Sequence, residues 1–553
     1  MSTVTLRPWQ RAAFDRFVTA AGTDFLAVAT PGAGKTTFAL TCARAVLAEQ
    51  PRPLVVVAPT SHLKVQWSLA AHRLGLELDP DWSPSAGLAR DVHGLVTTYQ
   101  QVATGDAAAK LRGIAADGFV ILDEIHHAGH ERAWGDGVRQ AFELAARRLA
   151  LSGTPFRSDT TPIPFVRYDV TAEGDLAHAD FTYGYADALR DGGVVRPVYF
   201  PRVDGQMEWS TPSGDVVRAT FADELTRDQV SLRLRTALSL DGDWLPTVLQ
   251  QADDRLRRMR TEHPEAGGLV ITTDQEHAHG VARLLRERCG SAAEVVVSDD
   301  PTASGRIAAF ARDDRPWLVA VRMVSEGVDI PRLRVGVYAT TTSTELFFRQ
   351  AVGRFVRWQS GRASQKAYVY LPDDPRLRTH AFAIAEARRH VLRPPAPDDD
   401  LTGPEETLDS LRHEDDRGIE QLSLFSVVSA TATGITIHAV TETGIQMFDD
   451  EPDVPEPAFA ADPHLAVDLP EIPTAAGTLS SGILSVAERK DDLRTRNAEV
   501  AKRLVDITGW NHARVQAEMN RMAGVTKVAT ATTDQLERRL RYAESWLRRL
   551  RGR

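Results

Sequence analysis

Ala29-Thr30-Pro31-Gly32-Ala33-Gly34-Lys35-Thr36 lies between an apolar run, Phe25 to Ala29, and a helical stretch, Phe38 to Leu47. Its two glycines let the backbone turn tightly, so that N–H groups converge on phosphate oxygens. Lys35 can reach the outer phosphates and the Thr36 hydroxyl can ligate Mg2+. Thr30, Pro31, Gly32, Ala33, Gly34, Lys35, Thr36 and Thr37 are therefore candidates for holding ATP. A second apolar run, Phe119 to Leu122, ends in Asp123-Glu124-Ile125-His126. Carboxylates at the C-terminal end of a parallel strand lie where ligands bind. Asp123 joins Thr36 as the candidate Mg2+ ligand pair, and Glu124 is the candidate to orient and deprotonate a water. A third group, Gln350, Gly353, Arg354 and Arg357, is spaced i, i+3, i+4, i+7, one face of a helix expected to begin near Glu345. Arg357 is the expected arginine finger, Arg354 its partner on the γ-phosphate, and Gln350 a nucleotide contact.

These groups need strands to carry them and helices to cover the strands, so an α/β class with parallel sheets is expected. The chain has 553 residues, too many for one core. Its two cysteines, Cys42 and Cys289, make no disulfide framework and have no metal-ligand neighbours. No apolar run reaches membrane-spanning length, and Met1 to Trp9 holds no signal-peptide core. A soluble, cytoplasmic protein with no membrane partner is expected. The net charge of −10 conceals an asymmetry. Acid is concentrated between about Asp398 and Glu471, whereas the segment from Arg489 onward is rich in arginine.

The phosphate loop and Asp123-Glu124-Ile125-His126 together resemble a superfamily 2 helicase of the DExH kind, over roughly Leu6 to Pro372. Leu6-Arg7-Pro8-Trp9-Gln10 resembles that family's adenine-recognition motif, with Gln10 on the base edge. Val55 to Thr60 and Thr97-Thr98-Tyr99-Gln100 resemble its nucleic-acid-contacting motifs, which implies contacts from Pro59, Thr60, Thr97, Thr98 and Tyr99. Ser152-Gly153-Thr154-Pro155 resembles the motif that couples hydrolysis to movement, a role that His126 would share. Ser325 to Pro331 resembles motif V, placing Gly327 and Asp329 near the nucleotide.

The resemblance implies two tandem RecA-like domains, an acidic linker and a small C-terminal helical domain. The expected boundaries are 1–175, 176–393 with an insertion near 199–262, 394–480 and 481–553. It also implies an ATP- and Mg2+-dependent, nucleic-acid-stimulated ATPase that moves on or unwinds DNA, in repair, replication or defence against foreign DNA. The loop and the Ser152 motif look like the branch of excision-repair helicases and restriction-enzyme translocases, which favours DNA over RNA. An RNA helicase is the alternative enzyme.

Within the acidic region, Gln421-Leu422-Ser423-Leu424-Phe425 resembles the bacterial sliding-clamp-binding motif. Gln421 would sit at a pocket rim, with Leu422, Leu424 and Phe425 in an apolar cleft. This supports a further alternative, a clamp-tethered recruiter that ATP only switches. The competing reading makes Leu422 to Val428 a strand pairing with Gly434 to Val440. Beyond it, Asn497 to Ile507 predicts a helix burying Val500, Leu504 and Ile507, with Gly509 as its stop. His512 to Ala523 predicts a second helix. A third, capped by Thr533 or Asp534, carries Leu536, Leu540, Ala543, Leu547 and Leu550, with Arg538, Arg539, Arg541, Arg548, Arg549 and Arg551 on it.

Overall fold

The computed structural model describes residues 2–551 except 86, 130–131, 154–156, 159–161, 172–173, 212–214, 298–299, 301, 322–329, 360, 363–364, 393–425, 437–439, 442–443, 446–464 and 470–484. Two compact units result. The first comprises Met1–Ala29, Gly34–Thr182 and Pro463–Arg553; the second comprises Thr30–Ala33 and Tyr183–Asp462.

In the first unit, the runs of consecutive apolar residues leave no polar face, so their strands must be covered on both sides. They form a sheet in the order Phe181–Tyr183, Asp24–Ala29, Arg147–Ser152, Phe119–Leu122, Leu54–Ala58, Gly94–Thr98, Leu78–Asp79. From Asp24–Ala29 onward every neighbouring pair is parallel. Leu54–Ala58 and Phe119–Leu122 are buried along their whole lengths. Parallel packing aligns the C-terminal ends of the strands, and the phosphate loop, Asp123 and Ser152 all follow from those ends.

The second unit repeats the plan. Ala367–Pro372, Leu333–Ala339, Gly267–Thr272, Trp317–Val321 and Ala293–Val296 form its parallel core. Arg202–Ser210 and Val216–Thr220 form an antiparallel hairpin that adds to the edge of this sheet, followed by a helix at Arg227–Ala237. The expected hairpin and charged helix are thus present. Met207, Trp209 and Phe221 share one core with Val270, Val319 and Val337, and the helix Trp244–Glu262 contributes Val248, Leu249 and Leu256 to it.

Among the described residues four strands come from the acidic region, of which Val440–Thr441 and Gly444–Ile445 pair with each other. Ser426–Thr436 pairs antiparallel with Arg202–Ser210. Gly434 lies within this same strand, so Ser426–Val428 does not pair with Gly434–Thr436; the rest of the expected hairpin, 422–425 and 437–439, lies outside the described residues. Leu465–Leu469 pairs antiparallel with Ser2–Leu6 in the first unit.

Three helices end the chain: Val486–Thr508, His512–Ala523 and Thr533–Arg551. Gly509 and Gly524 stop the first two in the left-handed conformation that glycine adopts without strain. Leu493, Val500, Leu504, Val515, Met519, Leu536 and Leu540 form their core. Ile507 corrects the expected face: it is exposed, since the last turn runs past the core. Arg539 is a second correction. It is fully buried, donating to Asn520 Oδ1 (2.7 Å), Asn497 Oδ1 (2.9 Å) and Gln516. Three of its donors are met by side-chain amides at the centre of the bundle rather than by solvent.

Carboxylates of the first unit's α/β part hold this bundle. Asp91 is buried; its Oδ1 accepts from Lys490 Nζ at 2.6 Å, and its Oδ2 accepts from the Thr533 N–H and hydroxyl at 2.8 and 2.9 Å. Glu77 Oε2 accepts the Val486 N–H at 3.0 Å. Each carboxylate therefore meets the N-terminus of a bundle helix, where unpaired N–H groups and the helix dipole favour negative charge.

Candidate active site

Gly32 and Gly34 have φ of +83° and +94°, a region costly for other residues, and the helix Lys35–Glu49 begins directly afterward. A Cβ at Gly34 would fall 2.7 Å from Gln10 Nε2. Gln10 is buried by the helix Pro8–Thr19, which Pro8 opens without losing a hydrogen bond. Its Oε1 accepts the Arg7 N–H at 2.8 Å and its Nε2 donates to the Gly34 carbonyl at 2.9 Å. Gln10 thus fixes the end of the glycine loop. Thr36 and Thr37 are half-buried in the first helical turn.

Glu124 follows the strand Phe119–Leu122 with φ +46°, left-handed for a residue with a side chain, at a cost of about 1–3 kcal/mol. The strain is held by contacts on both carboxylate oxygens. Oε1 takes Lys35 Nζ at 2.6 Å, and Oε2 takes the Gly153 N–H at 2.8 Å. His126 Nδ1 lies 3.6 Å from Oε2 and 3.4 Å from Ser152 Oγ. Lys35, Glu124, His126, Ser152 and Gly153 therefore meet around one carboxylate.

Asp123 is buried beside it. Its Oδ2 accepts Trp67 Nε1–H at 2.9 Å, and its carbonyl accepts the Tyr99 hydroxyl at 2.9 Å. Burial and the Glu124 charge push the Asp123 carboxyl up to about 6. Burial would raise Glu124 as well, but Lys35, then His126 and the Gly153 N–H, outweigh it and hold the carboxyl down at about 2. As pH rises, Glu124 therefore ionises before Asp123.

The donor set fits a magnesium nucleotide. N–H groups of a glycine turn and a helix N-terminus suit phosphates. Among the described residues no group of three or more His, Cys, Asp or Glu could hold a metal alone. A cation held by Thr36 and Asp123 oxygens, with phosphate completing the shell, is the arrangement Mg2+ prefers.

Other expected positions fall differently. Tyr99 is fully buried and its hydroxyl is spent on Asp123, so it braces the carboxylate strand and offers no surface to a nucleic acid. Thr97 is equally buried, bonded to Gln101 Oε1 at 2.9 Å. Thr98 caps the short helix Tyr99–Val102, accepting the Gln101 N–H. Pro59 and Thr60 are half-buried, Thr60 preceding the helix Ser61–Arg73. Thr154, Gly327, Asp329 and Gln421 to Phe425 lie outside the described residues.

The shared face proposed for Gln350, Gly353, Arg354 and Arg357 does not form, because the helix spans only Glu345–Val352. Gly353 to Phe355 make a turn, Phe355 is buried, and its ring fills the space where a Cβ at Gly336 would lie. Arg357 stands in an isolated β-bridge with Val195. Burial of Phe355 outweighs helix continuation, and Arg354 and Arg357 remain half-buried. Trp67 had no sequence signal, since a tryptophan on an amphipathic helix reads as core.

Residues 3–157 match the family described as type III restriction enzyme, res subunit. An uncharacterized protein of Mycobacterium tuberculosis is 49% identical over 393 residues, covering 70% of this chain and 65% of that protein. One of Mycobacterium leprae is 48% identical with the same coverage. The chain thus spans just under two thirds of the length of the curated relatives it matches. The helicase domain of Hef from Pyrococcus furiosus aligns at 15% identity over 68% of this chain and 97% of that one, with a TM-score of 0.39. The matched segment, and the site built on it, are thus similar to the res subunit of type III restriction enzymes.

Proposed function

We propose that this protein is an ATP-driven DNA translocase or helicase. The observation that supports it most directly is the Lys35–Glu124 pair, 2.6 Å apart, with Glu124 also bound by the Gly153 N–H. Lys35 and Thr36 bind phosphate, and Thr36 and Asp123 hold Mg2+. Bound Mg2+·ATP supplies the phosphoanhydride to be cleaved and neutralises part of its charge.

Lys35 also regulates its neighbour. While paired, it holds the Glu124 carboxyl down at about 2, too low for an efficient base. Transfer of Lys35 to phosphate removes that influence, so Glu124 gains basicity when a water needs orienting. The Gly153 N–H links Glu124 to the Ser152 motif, and this link carries the state of the carboxylate into the coupling segment. Arg354 and Arg357 of the second unit complete the site in the working cycle, as an arginine finger pair worth about 10³–10⁵ in rate. Motion between the units then moves the nucleic acid.

DNA is preferred over RNA on the resemblance to restriction translocases, and repair, replication or defence against foreign DNA are the settings proposed. Gln421 to Phe425 are proposed to tether the motor to a sliding clamp. ATPase assays with duplex DNA, single-stranded DNA and RNA test the proposal. Turnover should rise with DNA and vanish in Lys35→Ala; turnover indifferent to every nucleic acid would refute the motor, and stimulation by RNA alone would reassign the substrate.

A further inference from the structure

The last helix, Thr533–Arg551, turns a chemically distinct stripe toward solvent. Leu536, Leu540, Ala543 and Leu547 face the bundle core. On the opposite side Arg538, Arg541, Tyr542, Arg548 and Arg549 are exposed. Their spacing of three, four and seven residues puts them on one face, with half-buried Ser545 between them. Between Arg538 and Arg549 that face carries no carboxylate. The neighbouring acids, Glu537 and Glu544, are half-buried at its edge, and Glu537 lies 4.0 Å from Arg489.

Some arginines elsewhere in this unit find carboxylates within the fold, as in Arg11–Asp15, Arg496–Asp492 and Arg521–Glu518, whereas exposed Arg73, Arg90, Arg139 and Arg503 stand singly and form no comparable stripe. None of the four stripe arginines forms an ion pair among the described residues. Four unneutralised guanidinium groups along about 16 Å of helix are a local charge unlike the net charge of −10. The bundle that carries this face is held to the α/β part of its own unit. Asp91 and Glu77 hold the N-termini of two bundle helices, and buried Lys490 locks Asp91.

We infer that this stripe is a second nucleic-acid contact, gripping the phosphate backbone of duplex DNA without reading sequence, and mounted on the ATP-binding unit. Guanidinium forks pair with phosphate oxygens, and Tyr542 adds a hydroxyl donor. The inference rests on the proposed DNA motor and names an additional binding surface for it.

The test uses the full chain carrying R538A, R541A, R548A and R549A together. All four side chains are exposed, so the bundle should keep its helicity and melting temperature. Binding to a labelled 30-bp duplex is measured by fluorescence anisotropy from 50 to 200 mM salt. Each neutralised phosphate contributes about 0.9 to the log–log salt slope, so four contacts predict a slope shallower by about 3.6, with weaker binding at low salt. An unchanged slope and affinity would overturn the inference while leaving the motor intact. No DNA binding by the unaltered protein would instead overturn the motor. Loss of affinity for polyglutamate with the DNA slope unchanged would reassign the stripe to an acidic peptide.

Discussion

Replacing Glu124 by glutamine should stop turnover and, at the same time, tighten nucleotide binding. Without nucleotide, Lys35 is held by Glu124 at 2.6 Å, with the two side chains 13% and 23% exposed. Phosphate must take Lys35 from that partner. A hydrogen bond to a charged group contributes about 1.5–3 kcal/mol and a neutral one about 0.5–1.5 kcal/mol. The substitution therefore weakens the competing contact by about 1–1.5 kcal/mol, or about five- to thirteen-fold in affinity. Removing a negative charge also relieves repulsion of the γ-phosphate, and ADP separates the two effects. Competition for Lys35 predicts tighter binding of both ADP and a non-hydrolysable ATP analogue, whereas repulsion predicts it for the ATP analogue alone. Calorimetric titration of the unaltered protein and Glu124→Gln with each nucleotide, in Mg2+, gives the answer. Unchanged or weaker ADP binding by Glu124→Gln would refute the competition.

Asp91→Ala strands buried Lys490 and uncaps Thr533, at a summed cost of about 4–6 kcal/mol; a loss below about 1 kcal/mol in urea unfolding would show that the contacts do not hold the bundle. Gly34→Ala must adopt φ +94° and push Gln10 from 2.7 Å, so it should cost about 1–3 kcal/mol and weaken nucleotide binding, and unchanged melting and affinity would refute this. His277 is buried: its Nε2–H donates to the Leu238 carbonyl at 2.9 Å, and its Nδ1 accepts from Thr273 Oγ1 at 3.0 Å. Burial holds its pKa below the usual 6.5. In the unfolded chain it binds a proton first as pH falls, so its contribution to stability is present above about 6.5 and is lost below that. His277→Gln should flatten the pH dependence of melting between pH 7 and 5.5; an unchanged slope would refute the assignment.

How far the sequence could be read depended on whether the deciding interactions were local. The phosphate loop, the strand before Asp123 and the helix stops at Gly509 and Gly524 are set by neighbouring residues, and they appear where spacing predicts. The segment from Gly353 to Arg357 keeps helical spacing, yet Phe355 turns into the core beneath Gly336, a contact distant in sequence. Arg539 shares its helix with solvent-facing arginines, and only the amides of Asn497, Gln516 and Asn520 explain its burial. Tyr99 illustrates the same limit at the site: its motif suggested a surface role, while its hydroxyl serves Asp123. Trp67 and Asp91 act through partners on other elements and carry no motif.

The pairing of Ser2–Leu6 with Leu465–Leu469 has a consequence for synthesis on the ribosome. The first of these strands is made before the second unit, whereas its partner follows only after that unit. At about 5–20 residues per second, the wait is on the order of 20–90 s. Throughout that interval the backbone of Ser2–Leu6 lacks its partner strand, the condition under which sheet edges join neighbouring chains. The acceptor of the last helix, Asp91, waits almost as long for Lys490 and Thr533, 399 and 442 residues further on. A nascent chain of this protein is therefore most exposed to misassembly after the parallel strands of the first unit exist and before Pro463–Arg553 arrive.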